Sequence, residues 1–470
     1  MLHRSRRYLR TAGALALASG SLLAGGAPVA ATAGITIAPM VHSKFVSARQ
    51  PLTENECVTQ FTVPCYIPSQ IQTAYDEQPL FKQGINGAGQ TIVIVDSFGS
   101  PTIKADLATF DATFNLPAPP SFKIIQPAGK VPAWNPDNSA ELGWAGETTL
   151  DVEWSHTMAP GANILLVETP VAETEGTVGF PQIVEAENYV INHHLGQVIS
   201  QSFGATEGTF PSAASIQGLR SAYINAARND VTVLAATGDA GATDYSNAAG
   251  TLLYTHRAVD WPSTDPLVTA VGGTQLALWD NGSRNQADRV WNDSTNYALN
   301  NAFFGSPGPT ATATDGGLST VFSRPAYQDS VAGVVGGQRG VPDISMSAAC
   351  SGLVNTYQSF PGQPAGWYVD CGTSEATPLF AGVVALADQE AGHSLGQINP
   401  ALYALSAAHA PGIVDVTSGN NTVSFLQPNL VTVKGFAAGP GYDLASGVGT
   451  VNAALFVPEL AQAAGGGYGG

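Results

Sequence analysis

The sequence predicts an α/β fold, a mostly parallel central sheet with helices on both faces. Three observations carry it: strand-length apolar runs recur, helical patterns alternate with them, and the runs are apolar throughout. A run apolar at every position marks a strand covered on both sides. Residues 91–96 (Thr-Ile-Val-Ile-Val-Asp) form the first strand and 163–168 the second. Residues 197–202 and 231–236 add two more, and 268–273 a further one. Helices are expected between them, near 102–114, 145–159, 181–194 and 213–228. Pro160-Gly161 gives the second helix a clear stop. Sheets of this kind place ligands at the carboxyl ends of their strands. Residues 241–320, richer in Gly, Ser, Thr and Asn, read as long loops with short strands, not as a second domain. No internal repeat is found.

The ends read differently. His3, Arg4, Arg6, Arg7 and Arg10 form a basic start, residues 11–24 are small and apolar, and Ala31-Thr32-Ala33 is a cleavage pattern. Residues 1–33 are therefore expected to be a secretion signal, with the mature chain starting near Gly34 and exported to the extracellular medium. No later stretch is long and apolar enough to span a bilayer as a helix. Residues 461–470, with Gly465-Gly466-Gly467-Tyr468-Gly469-Gly470, are expected to form a flexible tail.

The 470 residues hold 18 basic and 36 acidic side chains, a net −18. That balance argues against nucleic acid or an anionic membrane as a partner. Only 11% of residues are charged, so the chain is not a disordered acidic segment. So few basic groups leave little positive self-repulsion once carboxylates are protonated, which suits an acidic medium. Four cysteines, Cys57, Cys65, Cys350 and Cys371, allow three pairings, and the sequence-local one (57–65, 350–371) is expected in an exported chain. A 350–371 bridge would brace the loop that follows it. No C-x-x-C spacing suggests a metal site.

That loop carries Cys371-Gly372-Thr373-Ser374-Glu375-Ala376-Thr377-Pro378, ahead of an apolar helix at 379–387. A serine on a tight turn at a helix start can expose its hydroxyl and put backbone N–H groups near an oxyanion. An isolated serine there is more often a helix cap. A nucleophilic serine also needs a base. Glu147 and Asp151, four residues apart, lie on one face of the expected 145–159 helix, with Glu147 in its first turn or just before it. Alone, such a pair is ordinarily a solvated helix face.

The string G-T-S-x-x-x-P resembles that of subtilisin-like serine peptidases and of their acid-acting relatives, the sedolisins or serine-carboxyl peptidases. Subtilisins need a His-Gly-Thr histidine, and none of the eight histidines is followed by Gly-Thr. Subtilisins also use an asparagine as oxyanion donor, whereas the comparable Thr237-Gly238-Asp239-Ala240-Gly241 carries Asp239. Val271-Gly272-Gly273-Thr274, Phe322-Ser323-Arg324-Pro325 and Gly340-Val341-Pro342-Asp343 are similar too, so the resemblance covers residues 64–460. It implies a subtilisin-like fold and a monomeric endopeptidase acting on proteins or peptides. Ser374 is then the nucleophile, Glu147 the base, Asp151 its support and Asp239 the oxyanion donor. A carboxyl group donates only when protonated, so the set implies activity at acid pH. An ionised Asp239 about 4 Å from an oxyanion would oppose it by roughly 4 kcal/mol at an effective dielectric near 20. Asp96, at the end of the first strand, takes the place of the subtilisin triad aspartate and is expected to extend the carboxylate network.

Two further sites follow from the resemblance. Ser202-Phe203-Gly204 is similar to the family's substrate-binding edge strand, which makes Ser202 and Gly204 substrate-binding residues; Phe203 stands where tryptophan is common. Asp415, Val416, Gly439, Gly441 and Asp443 resemble the family's calcium site, with two carboxylates and backbone carbonyls for one structural Ca2+. The family's long N-terminal prodomain has a short counterpart here: residues 34–63 serve as a reduced propeptide, or the chain folds without one. Two rival functions compete. One is a histidine-dependent subtilisin-type peptidase, with His156 nearest the acid pair. The other is a non-enzymatic binding protein on a peptidase fold.

Overall fold

The computed structural model describes residues 41–465. The expected signal at 1–33 and residues 466–470 of the expected tail lie outside the described residues. The last helix runs Ala453–Gly465. Residues 461–465 are therefore helical where a flexible tail was expected to begin.

The centre is an eight-stranded sheet. Its main path runs Arg289–Val290, Thr269–Gln275, Thr232–Ala236, Val198–Gln201, Thr91–Ser97, Asn163–Thr169 and Phe122–Ile125. Ile344–Ser347 also pairs with Thr269–Gln275. Every pairing is parallel except that of Arg289–Val290. Alternation along Thr91–Ser97 explains why it is apolar throughout. Ile92 and Ile94 join one core cluster, Val93 and Val95 the other, and all four are inaccessible.

The helix carrying Glu147, Ser139–Met158, and the helix carrying Ser374, Thr373–Ala391, pack against each other and on one sheet face. Phe180–Asn192 and Ser221–Arg228 cover the other. The expected helix at 213–228 is two helices, Ala213–Leu219 and Ser221–Arg228, meeting at Arg220.

The Ser139–Met158 helix begins earlier than expected. Asn138 caps it, its side chain accepting from Ala140 N at 3.0 Å. Glu147 therefore sits in the third turn, beyond reach of the helix dipole, and burial takes over as its dominant electrostatic influence. The Ser374 helix begins at Thr373, which puts Pro378 inside it. Proline has no N–H for the carbonyl four residues back, so Ser374 O loses its helical donor. The Ser202 hydroxyl lies 3.5 Å from that carbonyl instead.

A second sheet of four strands has the order His42–Ser47, Gly366–Cys371, Leu353–Gln358, Cys65–Tyr66. The disulfides are Cys57–Cys65 and Cys350–Cys371, the sequence-local pairing. The second anchors the strand that ends one residue before Gly372.

Candidate active site

Asp96, Ser202 and Asp239 come at or just after the carboxyl ends of three neighbouring parallel strands, as open α/β sheets arrange their ligand sites. Glu147 and Asp151 reach them from the helix above, and Ser374 from the start of the helix packed against it. Glycine sets two of these positions. Gly372, with φ 135°, turns the chain into Ser374, and Gly238, with φ 116°, turns it into Asp239; side chains are disfavoured at both angles.

Glu147 Oε2 accepts the backbone N–H of Val41 at 3.1 Å. The Ser374 hydroxyl adjoins the same carboxyl and favours its ionised form. Neither the Ser374 hydroxyl nor Glu147 Oε1 makes a hydrogen bond among the described residues. Asp151 Oδ1 accepts from the Ser202 hydroxyl at 2.7 Å. Burial, the largest influence, raises Asp96 to about 7. Burial also raises Glu147 and Asp151 well above the ordinary carboxyl range, and the charges of Asp96 and the other acids push the same way. Asp96, Glu147 and Asp151 therefore titrate as a set that holds shared protons.

Asp239 is bonded on one side only. Its Oδ1 accepts from Thr373 N at 2.7 Å and from Thr373 Oγ1 at 2.8 Å. Burial lifts the group to about 8, against the pull of those two bonds. Because Oδ1 already takes two donors, the proton belongs on Oδ2, which has no hydrogen-bond partner among the described residues. A protonated Oδ2 is the donor an oxyanion requires.

The site is closed over. Ser374, Glu147, Asp151 and Asp96 are inaccessible, and Asp239 is 7% exposed. The N-terminal strand contributes to the cover, pairing antiparallel with Gly366–Cys371 so that His42 lies opposite Cys371. Val41 thereby reaches Glu147, and His42 Nε2 lies 3.7 Å from Asp239 Oδ2. Burial lowers His42 to about 4. With Asp239 near 8, both groups are neutral between those values, so the contact is not an ion pair there. Sequence reasoning missed Val41 and His42, since nothing local distinguishes them. Thr373 was findable, being part of G-T-S.

Other expected residues fall as follows. Ser202 and Gly204 follow the interior strand Val198–Gln201, and both are buried. Ser202 directs its hydroxyl to Asp151. His156 Nε2 donates to Pro117 O at 2.7 Å and lies 3.4 Å from Asp111. It is nine residues along the helix from Glu147, about 13 Å, and so engaged elsewhere.

The residues expected at the calcium site gather in one corner. Asp415 Oδ2 accepts from Gly441 N at 2.8 Å, Asp443 Oδ2 from Gly439 N at 3.0 Å, and Val416 O faces the Ser446 hydroxyl at 3.4 Å. This all-oxygen set of carboxylates and carbonyls fits a hard cation.

Comparison with known proteins follows the same lines. The Subtilase family pattern matches residues 132–409. Kumamolisin of Bacillus sp. (strain MN-32) is 30% identical over 440 residues, 90% of this chain and 68% of its own. Sedolisin of Pseudomonas sp. (strain 101) is 28% identical over 390 residues, 82% of this chain and 60% of its own. The solved structure described as Pseudomonas sedolisin (serine-carboxyl proteinase) complexed with two molecules of pseudo-iodotyrostatin superposes with a TM-score of 0.65 at 26% identity. That match covers 84% of this chain and 97% of that one.

Proposed function

The chain belongs to the subtilase family, in its sedolisin or serine-carboxyl peptidase group, and from that premise we propose a secreted endopeptidase that works at acid pH. The observation that carries the reading is Asp239. It has one doubly bonded oxygen and one free oxygen that holds a proton while the group is neutral.

In this reading Glu147 takes the Ser374 proton as Oγ attacks the peptide carbonyl. The oxyanion forms against the proton on Asp239 Oδ2, a donor worth about 3–4 kcal/mol in such sites. Glu147 returns its proton to the departing amine, then deprotonates the water that releases the acyl group. Asp151, oriented by Ser202, shares the proton load with Glu147 and Asp96. Ser202 acts as a positioning residue and not in substrate pairing. Turnover requires Glu147 ionised while Asp239 is protonated. Activity therefore falls as pH drops through the range of the Glu147 set and as it rises through that of Asp239. Displacing the N-terminal strand rehydrates Glu147 and Asp239 alike and moves both down toward the ordinary carboxyl range, which draws both limbs of the working window toward acid.

That strand is also the reduced propeptide of this reading. It engages Glu147 and adjoins Asp239, and the residues after it, Ala48, Arg49 and Gln50, are exposed for cleavage. One structural Ca2+ at Asp415, Val416, Gly439, Gly441 and Asp443 would supply positive charge that ties the two C-terminal loops together.

A pH–rate profile on denatured casein tests the proposal, using chain nicked after Gln50 and chain left intact. Hydrolysis near pH 3–4 by the nicked chain, abolished by Ser374→Ala, is expected. An optimum near pH 8 would sink the carboxylate mechanism, and full activity of intact chain would remove the propeptide role.

A further inference from the structure

A second acidic group lies behind Asp239. Asp244, Asp260 and Asp315 each offer a carboxylate oxygen within 4.8 Å of the other two. They come from separate stretches: Asp244 from the Asp239 loop, Asp260 from the strand Asp260–Trp261, and Asp315 from just before Gly317–Ser323. All are 3% exposed or less. No lysine, arginine or histidine pairs with them among the described residues.

A separate observation points to a ligand. Both oxygens of Asp260, and Oδ2 of Asp315, are buried without any hydrogen-bond partner among the described residues. Backbone donors occupy other oxygens: Tyr245 N reaches Asp244 Oδ1 at 2.6 Å and Ala240 N reaches Asp315 Oδ1 at 2.7 Å. The Oδ2 atoms of Asp244 and Asp315 lie together under Gly238, where a Cβ would come within 3.0 and 2.7 Å of them. The titratable groups facing the three are Glu173, Glu175, Asp239 and Tyr245, none of them cationic. Buried acids so placed are neutral only while they share protons, or while a cation replaces those protons. Two oxygens bound to one Ca2+ at about 2.4 Å are at most about 4.8 Å apart, and the three carboxylate oxygens lie within that limit.

We propose that Asp244, Asp260 and Asp315 hold one hard divalent cation of the calcium class, distinct from any ion at Asp415 and Asp443. The ion ties the Asp239 loop to the two other stretches. Binding releases the shared protons, so it strengthens as pH rises.

Equilibrium dialysis of the full chain with calcium chloride near pH 7 tests this. Asp315→Asn should bind one equivalent fewer than the unmodified chain, while Asp443→Asn keeps that equivalent. Affinity at this site should drop at least tenfold between pH 7 and pH 5. Equal stoichiometry for the unmodified and Asp315→Asn chains overturns the proposal. If Asp315→Asn does not fold, crystals of the unmodified chain soaked in manganese chloride decide. An anomalous peak among the three carboxylates supports the site, and saturating metal without a peak there overturns it. Neither result depends on peptidase activity, so the site stands or falls apart from the proposed function.

Discussion

Asp343 and Glu147 are both inaccessible carboxylates, and the fold treats them in opposite ways. Asp343 is saturated: Arg339 donates to Oδ1 at 2.6 Å, Tyr403 to Oδ1 at 2.8 Å, and Ala270 N to Oδ2 at 2.8 Å. Glu147 has a single donor, the amide of Val41, with the Ser374 hydroxyl beside it, and its charged neighbours are acids. A guanidinium fixes a carboxylate in its charged state. A nest of acids keeps it ready to exchange protons. Burial alone therefore does not identify a functional acid; the charge of its neighbours does.

The largest effect should come from Glu147→Gln, which removes the base but keeps the volume. We expect kcat/KM to drop by about 10³–10⁴-fold with the fold intact, measured by peptide hydrolysis and circular dichroism. Loss of folding with retained specific activity would reverse the roles assigned to the two carboxylates. Arg339→Met should do the opposite. Stranding Asp343 costs about 3–5 kcal/mol in denaturant unfolding, while chain that does fold hydrolyses peptide normally.

Asp239→Asn sharpens the comparison further. An amide donates at every pH, so the loss at acid pH should be smaller than the roughly 10²–10³-fold of removing a donor outright. The alkaline limb of the pH–rate profile should move upward; an unmoved limb would assign it to another group.

The smallest effect is on stability. Asp96, Asp370 and Asp388 are raised to about 7, and Glu175, Glu187 and Asp239 to about 8, mainly by burial. Between their unfolded values near 4 and these folded values, the native chain binds more protons than the unfolded one. Stability is then greatest at acid pH and declines as pH rises toward 8. His42 and His156, lowered to about 4, act in the other direction, but they are two against six. The thermal midpoint should be higher at pH 4.5 than at pH 7.5 by scanning calorimetry, and the reverse order would contradict the assignment.

Much of the centre was legible because its strands are buried on both faces, which writes a continuous apolar run into the chain. The loop of the proposed nucleophile was legible because Gly372 and Pro378 surround Ser374 with punctuation that few other structures require. Helix starts were less so. Asn138 caps its helix from a stretch with little apolar periodicity, and Glu147 was consequently set too near the helix end.

The sequence by itself determined the parallel sheet, since a strand buried on both faces writes a continuous apolar run; the site residues came from the resemblance carried by G-T-S-x-x-x-P, and of three possible disulfide pairings the local one was expected. Only the tertiary structure decided which oxygen of Asp239 is free, that Ser202 donates to Asp151, and that Val41 and His42 lie against Glu147 and Asp239. Those facts rest on contacts between residues as far apart as 41 and 147, or 239 and 373. Such contacts follow from how sheet and helices stack, and no stretch of chain carries them alone.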